Sequence, residues 1–235
     1  IADISVLNKL GLSIVVVHGG GPRIKRELEK SNIQSKFIRG LRVTDEKIIN
    51  IVENVLIDFN EDIVNSLKKK GSEAVSINTK KNNIIEVTPE SEELGFVGVP
   101  NKIKINILNE IIKSNKIPVI APIGLDENGQ SFNINADTAA GAIAKNLKSR
   151  RLLLMTDVEG VLDKNKKLIS EINPNIAKKM INDEIITGGM IPKINTCIDA
   201  INNEVKGVVI IDGRRQHSIL FELLSDIGSG TLIRK

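Results

Sequence analysis

Aromatic side chains are scarce in this 235-residue chain, which has no Trp, no Tyr and five Phe. Surfaces that stack nucleobases need such rings, so the scarcity argues against nucleic acid as a partner. The single cysteine, Cys197, excludes an internal disulfide framework, fits a reducing compartment and reads as a packing residue. The two histidines, His18 and His217, and that one Cys have no zinc-ligand spacing. No apolar run approaches the roughly 20 residues that span a bilayer, and no signal-peptide pattern is present, so no membrane partner is expected. The common phosphate and nucleophile motifs are missing as well. Without G-x-x-x-x-G-K-[ST] there is no P-loop, and without G-x-G-x-x-G after the first strand there is no support for an ordinary dinucleotide fold. His-Gly-Gly-Gly also occurs in the oxyanion hole of esterases, but the G-x-S-x-G nucleophile elbow such an enzyme needs is absent.

What remains is an ordinary globular composition, 41% hydrophobic and 26% charged, long enough for one large α/β domain or two closely joined lobes. The net charge of +4 comes from scattered lysines largely balanced by Asp and Glu. That pattern reads as a solvated surface and also suits a small anionic substrate.

Short β-rich runs alternate with helical periodicity, which predicts βαβ units and a mainly parallel sheet covered on both faces. A helix through Ile4, Leu7 and Leu10 precedes a strand at 14–17, a glycine turn and a helix over about 22–30. Thr44 is the expected N-cap of a helix to about 56, and a second helix over about 61–70 should end in a left-handed cap at Gly71. Then come a strand at 74–77, a mobile loop at 78–83, a hairpin region at 84–100, a helix at 104–113 and a strand at 117–121. A turn at 126–129 leads to a helix from 135 to 147, a strand at 152–155 and a helix over about 173–182. A helix from 192 to about 202, a strand at 207–211, a helix at 216–224 and an edge strand at 230–233 complete the chain. A lobe boundary is expected near 145–151.

The chemistry is concentrated where ligands bind in such sheets, at the carboxyl ends of strands. Val15-Val16-Val17 runs into His18-Gly19-Gly20-Gly21 and a helix start, an arrangement of open backbone N–H groups suited to an anion. Arg42 offers a planar fork for a carboxylate, the alternative being a surface ion pair. Asn133, Asn135 and Asp137 stand at the mouth of an apolar helix, where Asp137 is either a cap or a carboxylate that orients catalytic groups or holds a metal-bound nucleotide. The segment 157–162 follows a strand end, where adenine and ribose could be gripped. Lys193 lies at a helix start, where the helix dipole gives a cation nothing, so contact with phosphate explains it better.

HGGGP, GLRVTDEK, APIGLDENGQSFNINADTAA, TDVEGVL, ITGGMIPKI and IIDGRRQHSILFELLSDIGSGT occur in that order along nearly the whole chain. Together they resemble the amino acid kinase family, and within it the members that phosphorylate N-acetyl-L-glutamate. The resemblance implies one domain over 1–235 with the αβα sandwich of that family, three layers around a mainly parallel central sheet. Its lobes would be 1–147 for acetylglutamate and 148–235 for ATP. It implies ATP-dependent phosphorylation, with Mg²⁺, of the side-chain carboxylate of N-acetyl-L-glutamate, the second step of arginine biosynthesis. Gly20, Gly21 and Arg42 would hold acetylglutamate with help from Asn133. Lys193 would stabilise the transferring phosphoryl, and Asp137 would orient the lysines. Asp157, Val158, Glu159, Gly160, Val161 and Leu162, with Gly188, Gly189 and Met190, would line the nucleotide site, and no residue is assigned as a direct metal ligand. His217, Glu222, Gly228 and Gly230 resemble the arginine effector site of feedback-inhibited members. A homo-oligomer (dimer or hexamer) in the cytoplasm or plastid stroma follows, with the PII signalling protein a partner of relatives in photosynthetic lineages. Three features depart from the family pattern. The opening K-x-G-G segment is not in this chain, 78–83 lacks the usual G-K-D, and Asp58-Phe59 replaces a commoner Gly-Lys. The alternative they raise is a non-catalytic amino-acid-binding or regulatory domain of the same fold.

Overall fold

β-Branched runs too short to stand alone become strands by pairing across the chain, and the amphipathic helices between them cover their faces. The computed structural model describes residues 1–226 and 228–235, so Ile227 of the C-terminal motif lies outside the described residues. The chain forms two units, Ile1–Ala139 and Ala140–Lys235.

The first unit contains α1 (Ala2–Lys9), β1 (Val16–Val17), α2 (Gly21–Lys30), β2 (Phe37–Ile38), β3 (Leu41–Arg42), α3 (Glu46–Lys69) and β4 (Ala74–Ile77). It continues with β5 (Ile85–Pro89), β6 (Gly98–Ile103), α4 (Ile105–Lys113), β7 (Ile117–Ile120), β8 (Ile123–Leu125) and β9 (Ser131–Asn133). Helix α5 (Ala136–Asn146) begins in this unit and ends in the next. A three-stranded parallel sheet, order β1-β7-β4, pairs Val16 with Val119 and Ala74 with Ile117. Every residue of β7 is buried, as expected of a central parallel strand with both faces covered. A four-stranded sheet runs β6-β5-β8-β9, and β2 and β3 form a separate hairpin. The hairpin turn, Arg39 at φ 50 and Gly40 at φ 82, has the paired positive φ of a type I′ hairpin turn.

The second unit continues with β10 (Leu152–Thr156), β11 (Glu171–Ile172), α6 (Pro174–Asn182), α7 (Met190–Asn202), β12 (Val208–Asp212), α8 (Ser218–Leu224) and β13 (Thr231–Ile233). Its sheet has the order β10-β12-β13-β11, with β10 parallel to β12 and β13 antiparallel to it. Leu154, Ile194, Cys197, Val208, Ile210 and Ile233 form its core, so Cys197 is a buried packing residue. The architecture is α/β with parallel-containing sheets.

Several local expectations need correction. The two helices expected over 44–70 are one 24-residue helix, α3. No Gly or Pro interrupts 57–60, and Asn60, between the two expected helices, is fully buried with its amide satisfied by β-strand partners and His18. Asp45, not Thr44, caps α3: its carboxylate accepts from Lys47 N and Ile48 N, both at 2.9 Å. Thr44 Oγ1 instead donates to the Arg42 carbonyl at 2.8 Å. Gly71, at φ 80, has the expected left-handed conformation. The segment at 78–83 is a tied turn rather than an open loop, since buried Asn78 accepts from Lys80 N and Lys81 N. Strand β1 is shorter than expected, and α7 starts two residues early at Met190. Strand β13 is interior, because the two residues of β11 pair with its far side.

Removing the Asp45 cap should cost about 1 kcal/mol. Urea unfolding of Asp45→Ala is expected to show that loss at an unchanged m-value; an unaltered midpoint would mean that the cap carries none of the stability of α3.

Candidate functional site

The triglycine turn follows β1, where His18 N still donates to Ile120 O at 3.2 Å, and Pro22 then starts α2. None of Gly19, Gly20 or Gly21 has a positive φ, so the turn does not need glycine for its backbone angles. Packing requires it at one position. A Cβ on Gly20 would lie 2.6 Å from Leu56 Cδ2 of α3 and 3.3 Å from Ile24 Cδ1, whereas one on Gly21 would meet nothing within 4 Å. Leu56 is 1% exposed within the apolar cluster of α2 and α3 and has little room to yield.

Gly20, Gly21, Arg42 and Asn133 all border one cavity of about 210 Å³ in the first unit, together with Phe37 and Asn135. The sequence therefore pointed to four residues that the fold brings together. Arg42 sits on β3 of the hairpin. Its side chain is buried, its guanidinium lies 4.8 Å from the Phe37 ring centroid, and Nη1 donates to Ser35 Oγ. Burial pulls its pKa below the ordinary arginine value, although a guanidinium stays charged at any physiological pH. Asn133 Nδ2 donates to Thr44 Oγ1 at 3.4 Å, and Phe96 N donates to Thr44 O at 2.7 Å. Gly95, at φ 65, allows this approach, because a Cβ there would stand 2.5 Å from Thr44 O. Ser35 and Phe37 were not singled out from the sequence, and Thr44 was read only as a helix cap; only the hairpin register brings Phe37 opposite Arg42.

Asp137 is the second residue of α5 and half-buried. Capping there falls to Asn135, whose Oδ1 accepts from Thr138 N at 3.1 Å. In the second unit, Asp157, Val158 and Glu159 are exposed at the carboxyl end of β10. Gly160 and Val161 are buried, and Leu162 is exposed. Gly160, at φ 150, lies against Thr231, whose hydroxyl accepts from Val161 N at 2.8 Å and donates to Ile169 O. At the neighbouring end of β12, hydrogen bonds from Arg214 hold Asp212 at a pKa of about 2. Gly188 and Gly189 are exposed at the N-terminus of α7, with open space where a Cβ would stand. Met190 opens α7, and Lys193 lies half-buried in its first turn. His217 directly precedes α8 with φ 58. Glu222, within α8, accepts from Ser229 N at 2.7 Å beside Gly228, and Gly230 packs against Ile210 O of β12. Among the described residues no group of three or more His, Cys, Asp or Glu could hold a metal ion. None of their helices is long and apolar enough to cross a membrane.

Residues 1–212 match the sequence profile of the amino acid kinase family. The chain belongs to that family. It is 60% identical over 235 residues to the acetylglutamate kinase of Pelagibacter ubique, covering 100% of this chain and 82% of that protein. It is 47% identical over 247 residues to the acetylglutamate kinase of Bradyrhizobium diazoefficiens, covering 99% and 84%. Its fold is similar, at a TM-score of 0.90 and 24% identity, to N-acetylglutamate synthase from Neisseria gonorrhoeae, covering all of this chain and 55% of that one.

The packing at the turn gives a paired expectation. Gly20→Ala overlaps a core leucine and should lose about 1–3 kcal/mol, while Gly21→Ala should stay within roughly 0.5 kcal/mol of wild type. Equal thermal unfolding midpoints for the two variants would show that Leu56 does not confine the turn.

Proposed function

We propose that the chain catalyses ATP-dependent phosphorylation of the side-chain carboxylate of N-acetyl-L-glutamate. The observation that carries this reading is the meeting of Gly20, Gly21, Arg42 and Asn133 around one small cavity. An anion-seating turn and a buried guanidinium in the same pocket suit a small substrate with two carboxylates, and the pocket lies below the usual size for drug-like ligands. Identity to acetylglutamate kinases over the full chain favours this catalytic reading over a binding-only domain.

Phosphoryl transfer asks a protein mainly for positioning and for positive charge around the transferred group. In this reading the Arg42 fork, held by Phe37 and Ser35, binds the substrate's α-carboxylate, and Asn133 contacts it alongside. The N–H groups of Gly20 and Gly21 receive charge developing on the reacting carboxylate. ATP is the phosphoryl donor, and Mg²⁺, when bound on its phosphate oxygens, neutralises their charge. The residues fit a nucleotide: Gly188 and Gly189 leave the α7 N-terminus open for phosphate, and Asp157, Val158 and Glu159 offer an exposed strand-end edge for the nucleoside, anchored by buried Gly160 and Val161. Lys193 stabilises the transferring phosphoryl from the first turn of α7, and Asp137 orients the lysine charge. We further propose the cytoplasm as the location, homo-oligomeric assembly, and arginine as an effector at His217, Glu222, Gly228 and Gly230. Calorimetry with arginine tests the last, and absence of heat would refute it.

Release of ADP should require both acetylglutamate and Mg-ATP. Release that follows carbamate, aspartate, glutamate or a nucleoside monophosphate instead would overturn the substrate assignment. Steady-state kinetics should separate the two charged groups. Lys193→Ala is expected to lower kcat by roughly 10²–10³ with substrate affinity largely kept, and Arg42→Ala to raise KM for acetylglutamate at a nearly unchanged KM for ATP. Near-normal turnover of the first variant, or an ATP-specific defect in the second, would remove that residue from its role.

A further inference from the structure

The reaction as described makes no use of His18, yet this side chain is 7% exposed and touches the cradle directly. Its Nδ1 lies 2.7 Å from Gly19 O, and its Nε2 lies 3.1 Å from Asn60 Nδ2. Asn60 Nδ2 also donates to Val119 O at 3.0 Å, and Asn60 Oδ1 accepts from Ser76 Oγ at 2.5 Å. Both ends of this chain are backbone carbonyls, which only accept, and that fixes every proton between them. The Asn60 atom facing Val119 O has to be the amide nitrogen. That NH₂ group therefore donates to His18 Nε2, and the imidazole proton has to sit on Nδ1, bonded to Gly19 O.

Gly19 O and Gly20 N belong to one peptide unit. No peptide bond among the described residues is cis, so the N–H of Gly20 points away from the carbonyl that His18 grips. Gly19, Gly20 and Gly21 border the cavity, while His18 does not. We propose that His18 is a positioning residue: neutral and protonated on Nδ1, it holds the Gly19 carbonyl back and so turns the Gly20 N–H toward the bound anion. This rests on the cradle reading above and assigns the cradle an acid-sensitive brace.

A second proton on His18 would bring an N–H against the Asn60 amide, which cannot turn over without setting its oxygen against Val119 O. The surroundings also oppose that proton. Burial is the largest influence and takes the pKa below the ordinary 6.5; the hydrogen bond to Gly19 O works against it, and the charge of Arg23 adds to the lowering. Arg23 of α2 stacks on Phe59 and pairs with Asp62, and Glu61 of α3 approaches Ser76. From β7 and β4 the network receives the Val119 carbonyl and the neutral Ser76 hydroxyl.

The test compares wild type, His18→Asn and His18→Leu in steady-state kinetics from pH 8 down to about pH 5. Asn keeps a donor near the Nδ1 position but cannot take up a proton. For wild type, kcat/KM for acetylglutamate should hold level above the ordinary imidazole pKa and fall about tenfold per pH unit below the lowered one. His18→Asn should lose that acid limb. His18→Leu should raise KM for acetylglutamate roughly tenfold with KM for ATP unchanged. In wild type, imidazole ¹⁵N NMR at neutral pH should show a neutral Nδ1–H ring that disappears in His18→Asn. An acid limb retained in His18→Asn, an Nε2–H tautomer, or an unchanged KM in folded His18→Leu would each overturn the proposal. If the leucine variant does not fold, the other two readouts decide. Failure of wild type to turn over acetylglutamate would sink the functional reading itself, whereas turnover with an unaltered acid limb sinks only the brace.

Discussion

The amide of Asn60 is the polar contact on which the geometry of the first unit depends. It is fully buried in the middle of α3, and its donors and acceptor are taken by Val119, His18 and Ser76. One side chain thus ties the long helix to β7, to β4 and to the residue that leads into the glycine turn. A satisfied hydrogen bond of this kind contributes only about 0.5–1.5 kcal/mol, but a buried amide left unpaired costs about 1–3 kcal/mol. The network therefore acts mainly by penalising alternatives: a break in α3 near residue 60 would strand the amide and its partners together. That is why one helix runs through a stretch whose polar residues, taken alone, invite a break.

The same helix shapes the cavity side of the unit. One turn before Asn60, Leu56 presses on Gly20 and leaves no space for a side chain there. Thr44, just before the Asp45 cap of α3, holds the Arg42 carbonyl and accepts from Asn133. The glycine turn, the guanidinium and the asparagine are in this way fixed to one scaffold. Phosphoryl transfer benefits from this pre-organisation, since positioning and charge carry most of the catalysis. In the second unit a strand-end turn is pinned through the Thr231 hydroxyl, and two glycines precede the helix N-terminus at α7.

Much of this was legible in local pattern. The strand–triglycine–helix unit, the Pro22 helix start and the left-handed Gly71 each depend on residues adjacent in the chain. Arg42, Asn133, Gly20 and Gly21 could be singled out because their side-chain chemistry, or lack of a side chain, is unusual where it stands. The misreadings share a cause. Thr44 and Asp45 are both good caps, and only the bond from Thr44 Oγ1 to Arg42 O frees the aspartate for α3. Whether β13 is an edge depends on Glu171 and Ile172, two residues with no strand signal of their own.

By itself the sequence determined the alternation of strand and helix, the glycine turn after β1 and the family to which the chain belongs. These follow from short-range periodicity, from steric rules that act within a few residues, and from motifs carried intact along the chain. Tertiary structure alone decided which glycine is sterically obligatory, what holds Arg42 in place and which nitrogen of His18 carries the proton. Each of those depends on atoms that are distant in sequence and meet only when helix α3, the β2–β3 hairpin and the β1-β7-β4 sheet pack together.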